Sequence, residues 1–222
     1  MTIPMSDECV PMSDERIPMS DADRAPDVVT TERLVGRRLT AADEPLFLAF
    51  HRDPRVVSWL GGGEQEITKE ENREWLANKL AHWQLHGFGL YAWFERESAD
   101  ASRGGPPAPD STVVPAGPLI GRAGIHEVDP DVGEVVGDPA AIELMYALAY
   151  DAWGHGYAGE ISRRLLDVAA DDLGRTEIIA DTVPHNVRSR RVMEGVGFVY
   201  EREFWHDDHT MVLYRKALCP KS

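Results

Sequence analysis

The chain has 222 residues, 43% of them hydrophobic, which is enough for one sizeable domain with a packed core. Its formal net charge of −15 argues against nucleic acid as a main partner, because a phosphate backbone asks for a basic face, and favours a cationic partner such as an amine. No run approaches the roughly 20 apolar residues that cross a bilayer, so no membrane partner is expected.

Residues 3–22 repeat every seven, with Ile3-Pro4-Met5-Ser6-Asp7-Glu8 followed by Val10-Pro11-Met12-Ser13-Asp14-Glu15 and Ile17-Pro18-Met19-Ser20-Asp21-Ala22. A proline in each repeat forbids a continuous helix. Seven acids stand against two arginines over residues 1–29, and aromatic residues are scarce, so this segment reads as a disordered acidic tail. It lacks the basic start and apolar segment of a secretory signal. Cys9 and Cys219 lie in the terminal tails, where a disulfide would staple nothing. A reducing cytoplasm is therefore the expected compartment, and no core thiol is available as a nucleophile.

The folded part is expected over residues 30–217, with 218–222 a short tail. Arg33 to Leu39 reads as a first strand. Thr40 or Asp43 caps a helix carrying Leu46, Phe47, Ala49 and Phe50, which Pro54 ends. Val56, Val57, Trp59 and Leu60 form a short apolar segment before Gly61-Gly62-Gly63. Thr68 opens a longer helix whose Trp75, Leu76, Leu80 and Trp83 fall at helical spacing, and Gly87 ends it. Phe88 to Glu95 is a strand. Residues 97–118, rich in Ser, Gly, Ala and Pro, read as a flexible loop inserted into a hairpin whose second strand is Leu119 to His126. Asp129 to Pro139 reads as a turn-rich link.

Ile142 to Tyr150 is dense in strand formers, and Asp151 to Glu160 is a glycine-rich turn. Ile161, Leu165, Val168 and Ala169 then follow a 3.6-residue period. Strand, glycine turn and helix make a device for holding phosphate, since the first N–H groups of a helix have no intrahelical partner and the helix dipole is positive there. Gly154, Gly156 and Gly159 spell G-x-G-x-x-G, which admits a dinucleotide and hence a nicotinamide-dependent oxidoreductase. A dinucleotide fold normally puts this turn after its first strand, however, and here it lies two-thirds along the chain. Thr176 to Val183 is the next strand, Asn186 caps a helix to about Glu194, and Phe198 to Glu203 and Met211 to Tyr214 form a hairpin turning at Asp207-Asp208.

The helix start Asn186-Val187-Arg188-Ser189-Arg190-Arg191, the Gly197-Phe198 pair after it and the upstream Trp153-Gly154-His155-Gly156-Tyr157-Ala158 occur in an order that makes the chain specific. With Thr31-Glu32-Arg33-Leu34 and His86-Gly87-Phe88-Gly89, it resembles the GNAT superfamily of acetyl-CoA-dependent N-acetyltransferases over about residues 30–217. Within that superfamily it is most similar to the branch containing ribosomal-protein N-terminal acetyltransferases. The resemblance implies an α/β fold of α+β type, with a mixed, mostly antiparallel central sheet flanked by helices and coenzyme A entering where the Ile142–Tyr150 strand and its successor diverge. It also implies acetyl transfer from acetyl-CoA to an amine acceptor, which is a protein N-terminus or a small molecule. Whether the chain acts as a monomer or a homodimer is left open.

By the same resemblance, the turn of Trp153, Gly154, His155, Gly156, Tyr157, Ala158 and Gly159 binds the pyrophosphate. Gly156 and Ala158 match the signature, whereas Trp153 and Gly159 depart from it. Backbone N–H groups near Met145 and Ala147 polarise the thioester carbonyl. Asn186 meets the pantetheine arm or is a plain N-cap, and Arg191, with Arg188 and Arg190, faces the adenosine 3′-phosphate or is a solvated helix face. Acyl transfer to an amine needs a base, a place for oxyanion charge and a proton for the departing thiolate. Glu143 stands where several family members place a base acting through water, and Glu203 is a second candidate. Ser189 matches the serine proposed to protonate the thiolate, and Tyr146 is the other hydroxyl nearby. Acceptor-choosing residues are expected among Trp59, Trp75 and Trp83 and on the last hairpin, at Glu203, Trp205 and His206.

His82 with His86, and His206 with His209, have spacings that suit a metal but lack an obvious third ligand, so no metal is expected. GxxxxGK[ST] and G-x-S-x-G are absent, which removes P-loop and nucleophile-elbow chemistry. A non-catalytic acyl-CoA-binding module that kept the fold and lost the base is the remaining rival.

Overall fold

Apolar runs punctuated by glycine and proline fold into eight strands and six α-helices in the computed structural model, which describes residues 24–59, 67–96, 117–206 and 208–220. In chain order these are β1 (Val28–Thr30), β2 (Leu34–Arg38), α1 (Glu44–His51), α2 (Pro54–Val57), α3 (Lys69–His86), β3 (Leu90–Glu95) and β4 (Leu119–Glu127). They continue as α4 (Pro130–Val136), β5 (Ile142–Leu148), α5 (Tyr157–Asp167), β6 (Glu177–Thr182), α6 (Val187–Gly195), β7 (Val199–His206) and β8 (His209–Ala217). The heptad repeats, Leu60 to Gly63, residues 97–116 and Asp207 lie outside the described residues, and with them the expectations of a disordered repeat and a flexible loop.

One sheet runs β1-β2-β3-β4-β5-β6-β8-β7. Every neighbouring pair is antiparallel except β5 and β6, which run parallel and share a single register pair, Glu143 with Ile179. The mixed, mostly antiparallel sheet flanked by helices is thus the architecture the sequence implied.

Alternation along the strands divides the core in two. Leu144 and Leu148 of β5 join Ala123, Ile125, Tyr91 and Trp93 in a cluster with Ile161 and Leu165 of α5 and Met193 of α6. Met145 and Ala147 point the other way, to Phe47, Phe50, Val56, Leu76 and Leu90 beneath α1, α2 and α3. On that second face α4 places Val132 over Ile179 and Leu213. A gap therefore opens over β5, between the α1–α3 layer and α4.

Two motifs owe their form to this packing. Gly87 ends α3 in the left-handed region, at φ 72°. Gly89 gives way to the buried Trp83 ring, which would lie 2.5 Å from a Cβ there and whose Nε1 donates to the Leu90 carbonyl at 2.8 Å. The N-terminus of α3 carries the expected cap, with Glu71 N–H donating to the Thr68 hydroxyl and the Glu71 carboxylate accepting from Thr68 N–H.

Two boundaries differ from the expectation. Val28–Thr30 belongs to the sheet as β1, and Ala25 and Val29 are buried, so the fold begins before residue 30. The link 129–139 contains α4, with Pro130 in its first turn and Gly137 closing it at φ 77°. Valines and an internal glycine disfavour a helix locally, but burial of Val132 overrides that preference.

Candidate active site

The single pairing between β5 and β6 is the organising feature. Beyond Glu143 the two strands part, and a cleft of about 1180 Å³ opens along β5. In an extended strand successive N–H groups point to opposite neighbours. Alternate main-chain groups of β5 past Glu143 therefore face the open cleft rather than a partner strand.

At the end of β5 the chain turns into α5. Gly154 and Gly156 have φ of 80° and 78°, a conformation open to glycine at little cost, and nothing lies within 4 Å of a Cβ built at Gly154. Gly156 is the N-cap of α5, so the N–H groups of Tyr157, Ala158 and Gly159 in the first turn are left without intrahelical carbonyls, as suits an anion. The turn is braced from the link between β1 and β2. Arg33 donates to the His155 carbonyl at 3.0 Å and, through Nε, to Glu160 at 2.7 Å, and the Thr31 hydroxyl donates to the same carboxylate at 2.5 Å. Burial opposes charge on Glu160, but these hydrogen bonds outweigh it and hold its pKa below the ordinary carboxylate value.

A carboxyl and a pair of hydroxyls stand on opposite faces of the parting strands. Glu143 shares the face of Met145 and Ala147, half-buried on the cleft wall. Burial pushes its carboxyl up to about 8, with Asp181 and Asp129 adding to the shift and Lys79 opposing it. Asp181 of β6 rises to about 6 from burial, moderated by His206 and reinforced by Asp129. The two acids titrate as a pair. On the other face Tyr146 meets the first turn of α6, with its hydroxyl 2.8 Å from Ser189 Oγ. Burial pushes the Tyr146 hydroxyl up to about 12, with the hydrogen bond to Ser189 partly opposing. Asn186 accepts from Ser189 N–H at 3.1 Å and so caps α6 as the sequence suggested.

A glycine turn at a helix N-terminus, the Glu143 carboxyl and the Tyr146–Ser189 hydroxyl pair thus border one cleft where parallel strands part. The acetyltransferase (GNAT) domain model matches residues 33–199.

The chain belongs to the GNAT acetyltransferase family.

It is 23% identical over 192 residues to protein YkkB of Bacillus subtilis, covering 85% of this chain and 94% of that protein. A GnaT-family acetyltransferase from Bordetella pertussis superposes with a TM-score of 0.67 at 22% identity, covering 86% of this chain and 99% of that one. RimL, a ribosomal L7/L12 α-N-protein acetyltransferase solved with coenzyme A, superposes with a TM-score of 0.65 at 13% identity, covering 86% and 98% of the two chains.

In this GNAT acetyltransferase the cleft is lined by Glu143, Met145, Tyr146, Ala147, Trp153, Gly154, Gly156, Tyr157, Ala158, Gly159, Asn186, Ser189, Arg191 and Trp59, all of which the sequence nominated. Six nominees lie outside this lining: His155, Glu203, Trp205, Trp75, Trp83 and Arg190. His155 is exposed beside the turn and stacks on Tyr157 at 5.4 Å, offering its carbonyl to Arg33 instead. Glu203 and Trp205 are exposed on β7 and do not line the cleft. Register explains this: Glu203 pairs with Val212 and Trp205 with Thr210, so both take one face, while Phe204 and His206 take the other. His206 does line the cleft. Trp83 is core, and Arg190 is held by the Tyr214 hydroxyl at 2.9 Å and the Pro184 carbonyl at 3.1 Å. Arg188 stacks over Trp153 at 5.0 Å, close to the phosphate turn.

The histidines of α3 form a column, His82 lying 4.3 Å from His86 and 3.7 Å from His126 between ring centroids. Glu127 N–H donates to His82 Nε2 at 3.1 Å, and His82 Nδ1 donates to the Phe88 carbonyl at 2.9 Å, so neither nitrogen is left to ligate a metal. The sequence reading missed Asp129, Asp181 and Arg122, each of which lines the cleft.

The turn fits a diphosphate. Its glycine conformations, its open approach and its unbonded helix N–H groups supply donors without neutralising the ligand's charge.

Proposed function

We propose that this acetyltransferase moves an acetyl group from acetyl-CoA to a primary amine by direct attack, with no covalent enzyme intermediate. The observation that carries the reading is the division of labour across the parting strands. The Glu143 carboxyl lies on one face and the Tyr146–Ser189 hydroxyl pair on the other, with the phosphate turn at the end of the same strand. An amine entering between α3 and α4 meets Glu143, which takes its proton directly or through water. The leaving thiolate emerges on the α6 side, where Ser189 supplies a proton that Tyr146 replenishes. Main-chain N–H groups of β5 near Met145 and Ala147 take the developing oxyanion charge. Coenzyme A, when bound, brings the activated thioester. The chain's own part is to hold the diphosphate on α5, orient the carbonyl and move two protons.

The acceptor class is an amine, either a protein N-terminus, as the likeness to RimL suggests, or a small molecule. An amine and N-terminal peptide panel assayed for free coenzyme A thiol is the direct test. Calorimetry accompanies it. Coenzyme A at a hundred times its Kd should stabilise the fold by about 2.7 kcal/mol, and NADH at the same concentration should not. Absence of heat with millimolar coenzyme A would remove the reading, whatever the panel gives.

A further inference from the structure

Among the charged groups of the cleft that the mechanism above leaves unused, Arg122 is set in the floor of the sheet itself. Arg122 lies in the middle of β4, paired across the sheet with Ala92 of β3 and Ala147 of β5. Its side chain shares the face of Met145 and Glu143 and lines the cleft. The guanidinium lies 5.1 Å over the Trp75 ring of α3, and its Nε is buried with no hydrogen-bond partner. No carboxylate among the described residues forms an ion pair with it. Burial pulls its pKa down to about 10. Its positive charge also pushes down the pKa of two neighbours, Lys79 and His51, in each case after burial.

A half-buried arginine with a buried, unpartnered Nε and no counter-ion is costly, and an aromatic face offsets only part of that cost. Its planar fork of donors matches a carboxylate in particular. The α5 turn that suits the phosphates of coenzyme A packs on the opposite face of the sheet from Arg122, although both border the cleft, so the phosphates have donors of their own apart from this guanidinium. Along the cleft floor the charge is ordered. Arg122 stands at the Ala147 end, Lys79 feels both Arg122 and Glu143, and Glu143, Asp129 and Asp181 make the other end acidic. Glu143 and Ala147 are four residues apart on one strand, roughly 13 Å, which leaves room for a molecule of amino-acid to dipeptide size.

We propose that Arg122 anchors a carboxylate carried by the acceptor, so that the amine substrate is an amino acid or a similarly small amine bearing a carboxylate, its amine directed toward Glu143. This rests on the acetyl-transfer reading above. It predicts selectivity by an unmet partner: an acceptor without the carboxylate covers the guanidinium and leaves it unpaired, and is rejected more strongly than loss of contact alone would give.

The test uses the full chain with saturating acetyl-CoA and follows thiol release. Acceptors come in matched sets, such as lysine, lysinamide and cadaverine, or phenylalanine, phenylalaninamide and phenethylamine. The wild type should prefer the free carboxylates by about 100-fold in kcat/KM. Arg122→Met should bring them down to the level of their amides, mainly through KM, with coenzyme A affinity unchanged by calorimetry. Arg122→Lys should restore part of the preference. Because Met replaces an uncompensated charge, the Arg122→Met melting temperature should equal or exceed that of the wild type, and a clear fall would mark Arg122 as structural and overturn the proposal. Amides and decarboxylated amines turned over as well as their parents would overturn it too, while leaving acetyl transfer standing. So would an Arg122→Met effect confined to succinyl-CoA against acetyl-CoA, which would assign the carboxylate to the donor. Coenzyme A binding without thiol release from any member removes this proposal and acetyl transfer to such amines together; no binding at all removes the cofactor assignment itself.

Discussion

Glu143 sits where its neutral form is favoured, and activity and stability should both report it. The base works only when ionised, so kcat/KM should climb with pH through the range set by the Glu143–Asp181 pair, between about 6 and about 8. Glu143→Gln should lower kcat by roughly 10²–10⁴-fold and flatten that limb of the profile, as stopped-flow thiol release would show. The stability sign is opposite. The folded pKa stands above the unfolded value of 4.5, so folding takes up a proton, and this contribution is present below 4.5 and lost as pH rises through about 8. At pH 8.5 Glu143→Gln should therefore be more stable than the wild type, by about 2 kcal/mol in urea titrations. Ser189→Ala and Tyr146→Phe should each slow thiol release by roughly tenfold, and the double variant by less than the product, since the two hydroxyls share one proton path. Glu143 was findable as a carboxylate among strand formers. Arg122 carried the same signal, a charge inside Leu119-Ile120-Gly121-Arg122-Ala123-Gly124-Ile125, but β4 had been read only as a strand. Glu203 and Trp205 fall outside the cleft because the facing side of β7 depends on its register with β8, which local sequence does not contain.

Elements give a different test, at the turn before α5. Gly154→Ala and Gly156→Ala place a Cβ in the left-handed region, costing about 1 kcal/mol each. There is room for the added methyl, with nothing nearer than 3.8 Å. The stability loss should therefore be modest and the rise in KM for acetyl-CoA the larger effect. Arg33→Ala should act on the same constant without touching the chemistry, because Arg33 fixes the turn through His155 and Glu160. An unchanged KM in steady-state kinetics would show that the brace is only structural. The motif Thr31-Glu32-Arg33-Leu34 thereby gains a role its sequence did not disclose, since its partner Glu160 is 127 residues away. The helix α4 was hidden for a related reason. Pro130 and Gly137 are helix punctuation as much as turn residues, and only burial of Val132 against β6 and β8 tells the two apart.

The whole molecule is one sheet with a fault line. Five strands lie on one side, three on the other, and the parallel pair between them meets at a single register position. The family resemblance implied a parting of this kind, whereas its abruptness rests on the divergence of β6, which no local pattern records. Amide hydrogen exchange should map it. Within residues 144–148, the N–H groups turned away from β4 should exchange far faster than their alternate neighbours, and coenzyme A should slow them selectively. Uniform protection along β5 in the free protein would contradict the geometry. Mechanically, the chain enters on one side of the fault and leaves from the other. A pull on its two ends would load that line first, and a tether between optical beads should feel it yield at lower force than the antiparallel ladders on either flank.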